Sequence, residues 1–152
     1  MALIIEDGTG LSNAQSYVDT TFVNAYFTLR GITFISTEAL IIQAMDYIEA
    51  TYSQSYVGVK YTNTQSLAFP RLIDGSSIYP ERLKSAVCEL THKASLGTLM
   101  EDSTQKIVRE QVGPITTQYS EYSDAQKQYA MVYQLLSPWL SGSTTSHVVS
   151  RA

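Results

Sequence analysis

Residues 79–100 constrain the fold more than any other stretch, because their pattern fits a helix and little else. Apolar and small residues recur there at steps of three and four, which at about 100° per residue places them on one side of a helix. They are Leu83, Ala86, Val87, Leu90, Ala94 and Gly97. Cys88, Leu96 and Leu99 fall on the opposite side, and a helix that is apolar on both sides usually has neighbours on both sides. We therefore expect a long central helix, with Pro80 in its first turn, that contacts other elements or a second subunit.

Three shorter helices are predicted, so the fold class is mainly α, with about four helices packed around the central one. The first begins after Ser16 or Asp19, runs to Arg30 and stops at Gly31. Its predicted inner face consists of Val18, Phe22, Ala25, Tyr26 and Leu29.

The second helix opens at residues 36–37, and the last one covers residues 124–136. In the second helix a wide apolar face is predicted to be buried, while Gln43, Asp46 and Glu49 face solvent. In the last helix the same spacing turns Ala125, Tyr129, Val132, Tyr133 and Leu136 to one side.

A small β-hairpin is predicted where residues 106–112 and 115–119 flank Gly113-Pro114, because β-branched residues crowd both arms. Residues 2–5 resemble a short strand that ends in a glycine-rich turn. The connection 53–78 lacks helical periodicity and contains an Asp74-Gly75 turn. Within it we expect Phe69 to be a buried plug and Arg71 to be held by a carboxylate or a helix end.

The composition favours a protein that contacts other proteins. The chain has 152 residues, which is the size of one domain, and only 16% of them are charged. Ser, Thr, Gln and 11 Tyr residues take the place of the missing charged residues. The net charge of −4 argues against a surface that grips many phosphates. The sequence predicts no secretory signal and no membrane span, so we expect a soluble chain made in the cytoplasm.

The search for catalytic, cofactor or metal-binding residues identifies none. Cys88 and His92 have a spacing that can place two metal ligands on one helical face, but no third ligand accompanies them. Asp46 and Glu49 fit a solvated helix face better than an acid–base pair. The run Gly8-Thr9-Gly10 lacks the lysine and third glycine of phosphate loops. We therefore expect a protein that is not an enzyme and carries no cofactor.

Four motifs occur in a fixed order along the chain. They are IIEDGTG with AQSYV at 4–18, AL with AMDYI at 39–48, QSLAFPR at 65–71 and VREQVGP at 108–114. Together they resemble a family of tailed-phage proteins, the head-to-tail connectors, or adaptors, of the head-completion type, some of which are classified as DnaT-like single-stranded DNA-binding proteins. Phe69 stands where tryptophan is more common in the family.

The resemblance implies a homo-oligomeric ring, typically of twelve copies, at the head-to-tail interface of a virion. Such a ring binds the portal protein on one side and a tail, tail-terminator or nozzle protein on the other. Genomic DNA passes through its channel without specific binding, which suits an acidic chain. The alternative is a single-stranded DNA-binding protein, for which the tyrosines have few lysines and arginines nearby.

The resemblance and the composition together divide the chain into one connector domain, residues 1–140, and a flexible C-terminal arm, residues 141–152. Ser and Gly dominate the start of the arm, and β-branched residues near its end could add to a partner as an extended peptide. The predicted subunit or partner contacts are Leu96, Leu99, His147, Val148, Val149 and Arg151.

Overall fold

A computed structural model describes residues 2–100, 109–113, 115–118 and 129–141 of the chain. The fold is mainly α, as expected. The helices are α1 (Thr20–Thr28), α2 (Glu38–Tyr52), α3 (Glu81–Leu96) and α4 (Ala130–Leu136), and a 3-10 turn (Ser137–Trp139) follows α4. The strands are β1 (Val59–Lys60), β2 (Arg71–Ile73), β3 (Ser76–Ile78), β4 (Arg109–Val112) and β5 (Ile115–Gln118).

Helix α3 contacts each of the other three helices, but it is shorter than expected. It has 16 residues against 15 in α2, so the structure does not single out one long central helix. The helix ends at Leu96 because the backbone becomes extended at Gly97 (φ 163°, ψ 179°). Pro80 is its N-cap rather than a residue of its first turn. The α3 stripe is buried over Leu83, Ala86, Val87, Leu90 and Ala94, and Cys88 and Thr91 are buried beside it.

The predicted inner face of the first helix is only partly correct: Val18 and Tyr26 are buried as predicted, but the other three residues are not. Its N-cap is Asp19, whose carboxylate accepts a hydrogen bond from the Phe22 amide. The buried side chains are Val23, Tyr26 and Phe27, whereas Phe22, Ala25 and Leu29 are exposed. The inner face therefore lies about one position further along the helix, because the Phe27 ring packs against His92 of α3 at 5.1 Å.

The connection 53–78 contains a three-stranded antiparallel sheet in the order β1-β2-β3, a sheet that the residue pattern does not predict. Asp74 and Gly75 both have positive φ (50° and 79°) and join β2 to β3, with Ile73 paired to Ser76. Two positive φ values in a two-residue loop give the turn whose twist matches paired strands. The Asp-Gly pair predicted the turn correctly. The flanking strands are too short to show the alternation of apolar and polar residues that marks a strand in the sequence.

Phe69 and Arg71 fasten this connection to the core. Phe69 is fully buried, as predicted, and its ring meets that of Tyr56 edge-on at 4.7 Å. Arg71 is also buried, and its charge helps to lower the pKa of the Glu49 carboxyl, which burial raises, but its hydrogen bonds go neither to a carboxylate nor to a helix end. Its guanidinium donates to backbone carbonyls of the connection itself, at 2.7 Å to Gly58, 2.9 Å to Val57 and 3.3 Å to Ala68. Carbonyl oxygens satisfy a buried guanidinium without a second charge.

The predicted hairpin is confirmed where it is described. Strands β4 and β5 pair antiparallel around Gly113, with Val112 opposite Ile115. The strand predicted at residues 2–5 is reduced to one bridge between Ile5 and Ser16. Helix α4 has Tyr129 as its N-cap, and residues 124–128 of the predicted helix lie outside the described residues. None of the helices described is long and apolar enough to cross a membrane.

Candidate functional site

The Cys88 and His92 pair has no features of a metal or nucleophile site. Burial raises the pKa of the Cys88 thiol to about 12, which disfavours the thiolate that ligates metals or attacks substrates. The His92 ring packs against both the Phe27 and the Phe34 ring, at 5.1 and 4.9 Å between centroids. Among the described residues there is no group of three His, Cys, Asp or Glu side chains that could hold a metal ion.

Glu49 was predicted to face solvent together with Asp46, and for Glu49 this is wrong. Its carboxylate accepts hydrogen bonds from the Tyr17 hydroxyl at 2.9 Å and the Ala68 amide at 3.4 Å. Burial raises the pKa of Glu49, and these hydrogen bonds partly oppose the shift. The Tyr17 hydroxyl in turn accepts from the Phe69 amide at 3.1 Å. Glu49 therefore joins α2 to the connection.

The glycine-rich turn after residue 5 is organised around a carboxylate of the chain itself. Glu6 is buried and accepts hydrogen bonds from the amides of Gly8, Gly10 and Leu11, each at 2.9 Å. These N–H groups are the kind that cradle phosphate in binding loops. Here the Glu6 carboxylate occupies them, so the turn has a structural role that the residue pattern alone did not reveal.

Four exposed apolar side chains lie at the C-terminal ends of α1 and α3 or in the loop after α1. We call this set the helix-end patch, and it consists of Leu29, Ile32, Ile35 and Leu96. Leu29, Ile35 and Leu96 are 86%, 80% and 70% exposed. The loop after α1 is held near α3 by the contact of Phe34 with His92, and Leu96 lies one helical turn beyond His92. A shallow cleft of about 450 Å³ borders the patch and is lined by Asn24, Thr28 and residues 31–35.

A second apolar surface lies on the outer side of the three-stranded sheet. We call it the sheet face, and it consists of Val59, Tyr61 and Leu72. Val59 is 63% exposed and pairs directly with Leu72, so the two side chains share one side of the sheet. Tyr61 follows Val59 by two residues and, by the alternation of strands, projects to the same side. Arg71 lies on the opposite, buried side.

The two surfaces lie near opposite ends of α3. Strand β3 ends at Ile78, two residues before the N-cap of α3, so the sheet adjoins the N-terminal end of that helix. Leu96 is the last residue of α3. A helix of 16 residues is about 24 Å long. A single subunit therefore presents two different apolar surfaces separated by roughly the length of one helix.

The structure gives the predicted contact residues different outcomes: one is exposed, one is buried, and the others are not described. Leu96 is exposed and available to a partner. Leu99 is 6% exposed and belongs to the core of the chain, so it is not a surface residue as the prediction required. The reason is that α3 has already ended at Leu96, and after the extended backbone at Gly97 the chain brings Leu99 beside α2 and Tyr129. His147, Val148, Val149 and Arg151 lie outside the described residues.

Comparison with known proteins assigns the chain to a family. A profile described as "Putative DnaT-like ssDNA binding protein" matches residues 1–152. The chain belongs to this DnaT-like family. No curated protein sequence and no solved structure matches it. The DnaT-like part of the resemblance is therefore confirmed, whereas the head-to-tail connector role stays a prediction.

The DnaT-like chain keeps several of its tyrosines away from solvent. Tyr47, Tyr52 and Tyr56 are buried in the core, where they cannot stack on bases. Burial raises the pKa of Tyr52 to about 12. Where aromatic rings and a lysine do meet at the surface, Lys84 lies 5.8 Å from the Phe22 ring and 5.2 Å from the Tyr79 ring. The same lysine forms an ion pair with Glu81 at 3.3 Å.

Proposed function

We propose that this DnaT-like protein is a structural subunit of a tailed-phage head-to-tail connector. Copies of the chain would form a homo-oligomeric ring between the portal and a tail protein, with genomic DNA passing through the channel. This role would make the protein a virion component. It is supported by the order of the four motifs, by the low charge and by the surface properties of the folded chain.

The observation that carries the proposal is the pair of different apolar surfaces near opposite ends of α3. An exposed leucine by itself means little, but clusters of exposed apolar side chains are typical of contacts between proteins. Two unlike surfaces on one subunit suit a head-to-tail contact, which generates a closed ring when the rotation between neighbours closes. In this ring the C-terminal arm, residues 141–152, would bind the portal or a neighbouring subunit.

Electron microscopy of the purified full chain, together with light scattering after size exclusion, tests this function. We expect rings or ring fragments, with the population increasing with protein concentration. Leu29→Asp should reduce assembly because it places a charge in the helix-end patch. Gln54→Asp, at an exposed position outside both apolar surfaces, should assemble as the wild type does. A chain that stays monomeric at every concentration, alone and with portal protein, would contradict the proposal.

The second candidate is single-stranded DNA binding, which the family description favours. Lys84, close to the Phe22 and Tyr79 rings, is one described feature that resembles a stacking site. A labelled oligonucleotide titrated with the protein at low salt separates the two candidates. Affinity that is micromolar or better and falls steeply with salt would favour DNA binding, because phosphate contacts release counterions.

A further inference from the structure

We propose that the Glu49 carboxyl is a proton-sensitive latch that fastens the connection 53–78 to α2. With the proton bound, the connection stays closed over the helix. Without it, the connection opens more often and loosens the base of the C-terminal arm, residues 139–141. The inference goes beyond the proposed ring and does not depend on it, because every contact that it uses lies within one subunit.

The Glu49 carboxyl lies where two other segments of the chain meet α2. Its Oε1 atom accepts hydrogen bonds from the Tyr17 hydroxyl at 2.9 Å and from the Ala68 amide at 3.4 Å. The Tyr17 hydroxyl also accepts from the Phe69 amide at 3.1 Å, and Tyr17, Ala68 and Phe69 are all buried. Because both hydrogen bonds to the carboxyl end on Oε1, a proton can bind at Oε2 without displacing either of them.

The charged and titratable groups that interact with the Glu49 carboxyl come from the same two segments. The segment before α1 supplies Tyr17, and the connection supplies Tyr56, Lys60 and Arg71. Burial raises the pKa of Glu49, and the charges of Lys60 and Arg71 only partly oppose this rise. The Tyr56 hydroxyl is buried and has no hydrogen-bond partner among the described residues, so it does not stabilise the carboxylate.

The closed connection therefore holds a proton on Glu49 more tightly than an open one does. When the connection opens, the carboxyl meets water and its pKa returns to the ordinary value of about 4.5. The contribution of this group to closure is complete below that value and is lost as the pH rises through the raised pKa. Mildly acidic conditions thus close the latch, and opening at higher pH releases the proton.

The Arg71 guanidinium joins the residues beside Glu49 to an earlier part of the connection. It donates to the Ala68 carbonyl at 3.3 Å and to the Val57 and Gly58 carbonyls at 2.9 and 2.7 Å. Because Arg71 is buried, these carbonyl oxygens replace water as its partners. Movement of residue 68 away from Glu49 therefore disturbs the hydrogen bonds that hold residues 57 and 58.

The base of the arm is attached to this same part of the connection. The Val57 amide donates to the Trp139 carbonyl at 2.8 Å. The Ser141 amide and hydroxyl both donate to the Ser55 carbonyl, at 2.6 and 2.8 Å. Opening of the connection at residue 68 therefore reaches the base of the arm through Arg71.

Hydrogen exchange of single amides between pH 4.5 and 7.5, followed by mass spectrometry with peptide fragmentation, tests the latch. After correction for the intrinsic exchange rate, it gives an opening constant for each amide. In the wild type we expect the opening constants of Ala68, Phe69 and Val57 to rise together with pH, by up to about tenfold per pH unit where opening releases one proton. Glu49→Gln, which is neutral and keeps an acceptor oxygen, should hold the low opening constants of the acidic state at every pH.

Asp46→Asn is the matched control, because it removes an exposed carboxylate about one turn before Glu49 on the same helix. We expect it to keep the pH dependence of the wild type, and circular dichroism should show all three proteins folded. A wild-type chain whose opening constant at Ala68 does not rise with pH, or an equal rise in Glu49→Gln, would overturn the proposal. So would a response at Ala68 and Phe69 that is absent at Val57. The outcome does not depend on whether the chain forms rings.

Discussion

Replacing Phe69 by alanine tests how the connection 53–78 is held to the helical core. Phe69 is 0% exposed, and truncation of a fully buried phenylalanine typically costs about 3–5 kcal/mol of unfolding free energy. The edge-on contact with Tyr56 adds to simple burial, which places the expected loss at about 4 kcal/mol. The hydrogen bond from the residue 69 amide to the Tyr17 hydroxyl is available to alanine as well, so it does not enlarge the loss.

Urea unfolding followed by circular dichroism and by the fluorescence of the single tryptophan measures this loss. Trp139 is well placed as a probe because its carbonyl accepts a hydrogen bond from the Val57 amide, inside the connection. A loss of 4 kcal/mol corresponds to a melting temperature lower by roughly 8–16 °C in a domain of this size. Val59→Ala, at an exposed position of the same connection, should change stability by less than about 0.5 kcal/mol.

A loss below about 1 kcal/mol for Phe69→Ala would refute the reasoning. It would mean that the connection can close over the vacated space, or that Phe69 is not the residue that anchors it. A change in the slope of unfolding free energy against urea concentration would instead indicate that the denatured or native state differs in compactness. If Val59→Ala leaves this slope unchanged, the difference is specific to position 69.

Three further substitutions test the burial of Leu99, the environment of Glu49 and the packing at Gly58. Leu99→Glu should lower the unfolding free energy by more than about 3 kcal/mol, because it forces an unpaired charge into the core. A melting temperature equal to that of the wild type would show that Leu99 is a surface residue. Glu49→Gln should flatten the dependence of stability on pH. Because the pKa of Glu49 is raised in the folded chain, the folded state holds this proton more tightly, so its contribution to stability falls as the pH rises from about 4.5 through the raised pKa. Urea unfolding between pH 4 and 7 checks this, and identical pH profiles for the two proteins would contradict it. Gly58→Ala should destabilise the chain by at least about 1 kcal/mol more than Gly75→Ala in the same assay. Both glycines have positive φ, but only at Gly58 would a Cβ atom overlap a backbone oxygen, that of Leu72. Equal losses would show that the overlap relaxes freely.

The candidate contact surfaces were only partly predictable from the sequence. Leu96 was identified because it falls opposite the buried stripe of α3, and the structure leaves it exposed. Leu29 was assigned to an inner face and is instead the most exposed large apolar side chain described. Ile35 and Val59 lie in segments without periodicity, so no pattern marked them. Their exposure depends on which neighbours cover them, and this is not encoded at any fixed spacing.

What the sequence by itself determined is the local structure that depends on residues close together in the chain. The bodies of α2 and α3, the Asp74-Gly75 turn and the β4–β5 hairpin follow from side-chain spacing or positive φ, whereas the choice of Asp19 over Ser16 as a cap came from the structure. Only the tertiary structure decided which face of α1 is buried, where Leu99 lies and what holds Glu49 and Arg71. The hydroxyl of Tyr17 reaches Glu49 across 32 positions of sequence. Such partners meet only after the helices have packed, because burial and hydrogen-bond satisfaction are properties of the assembled core.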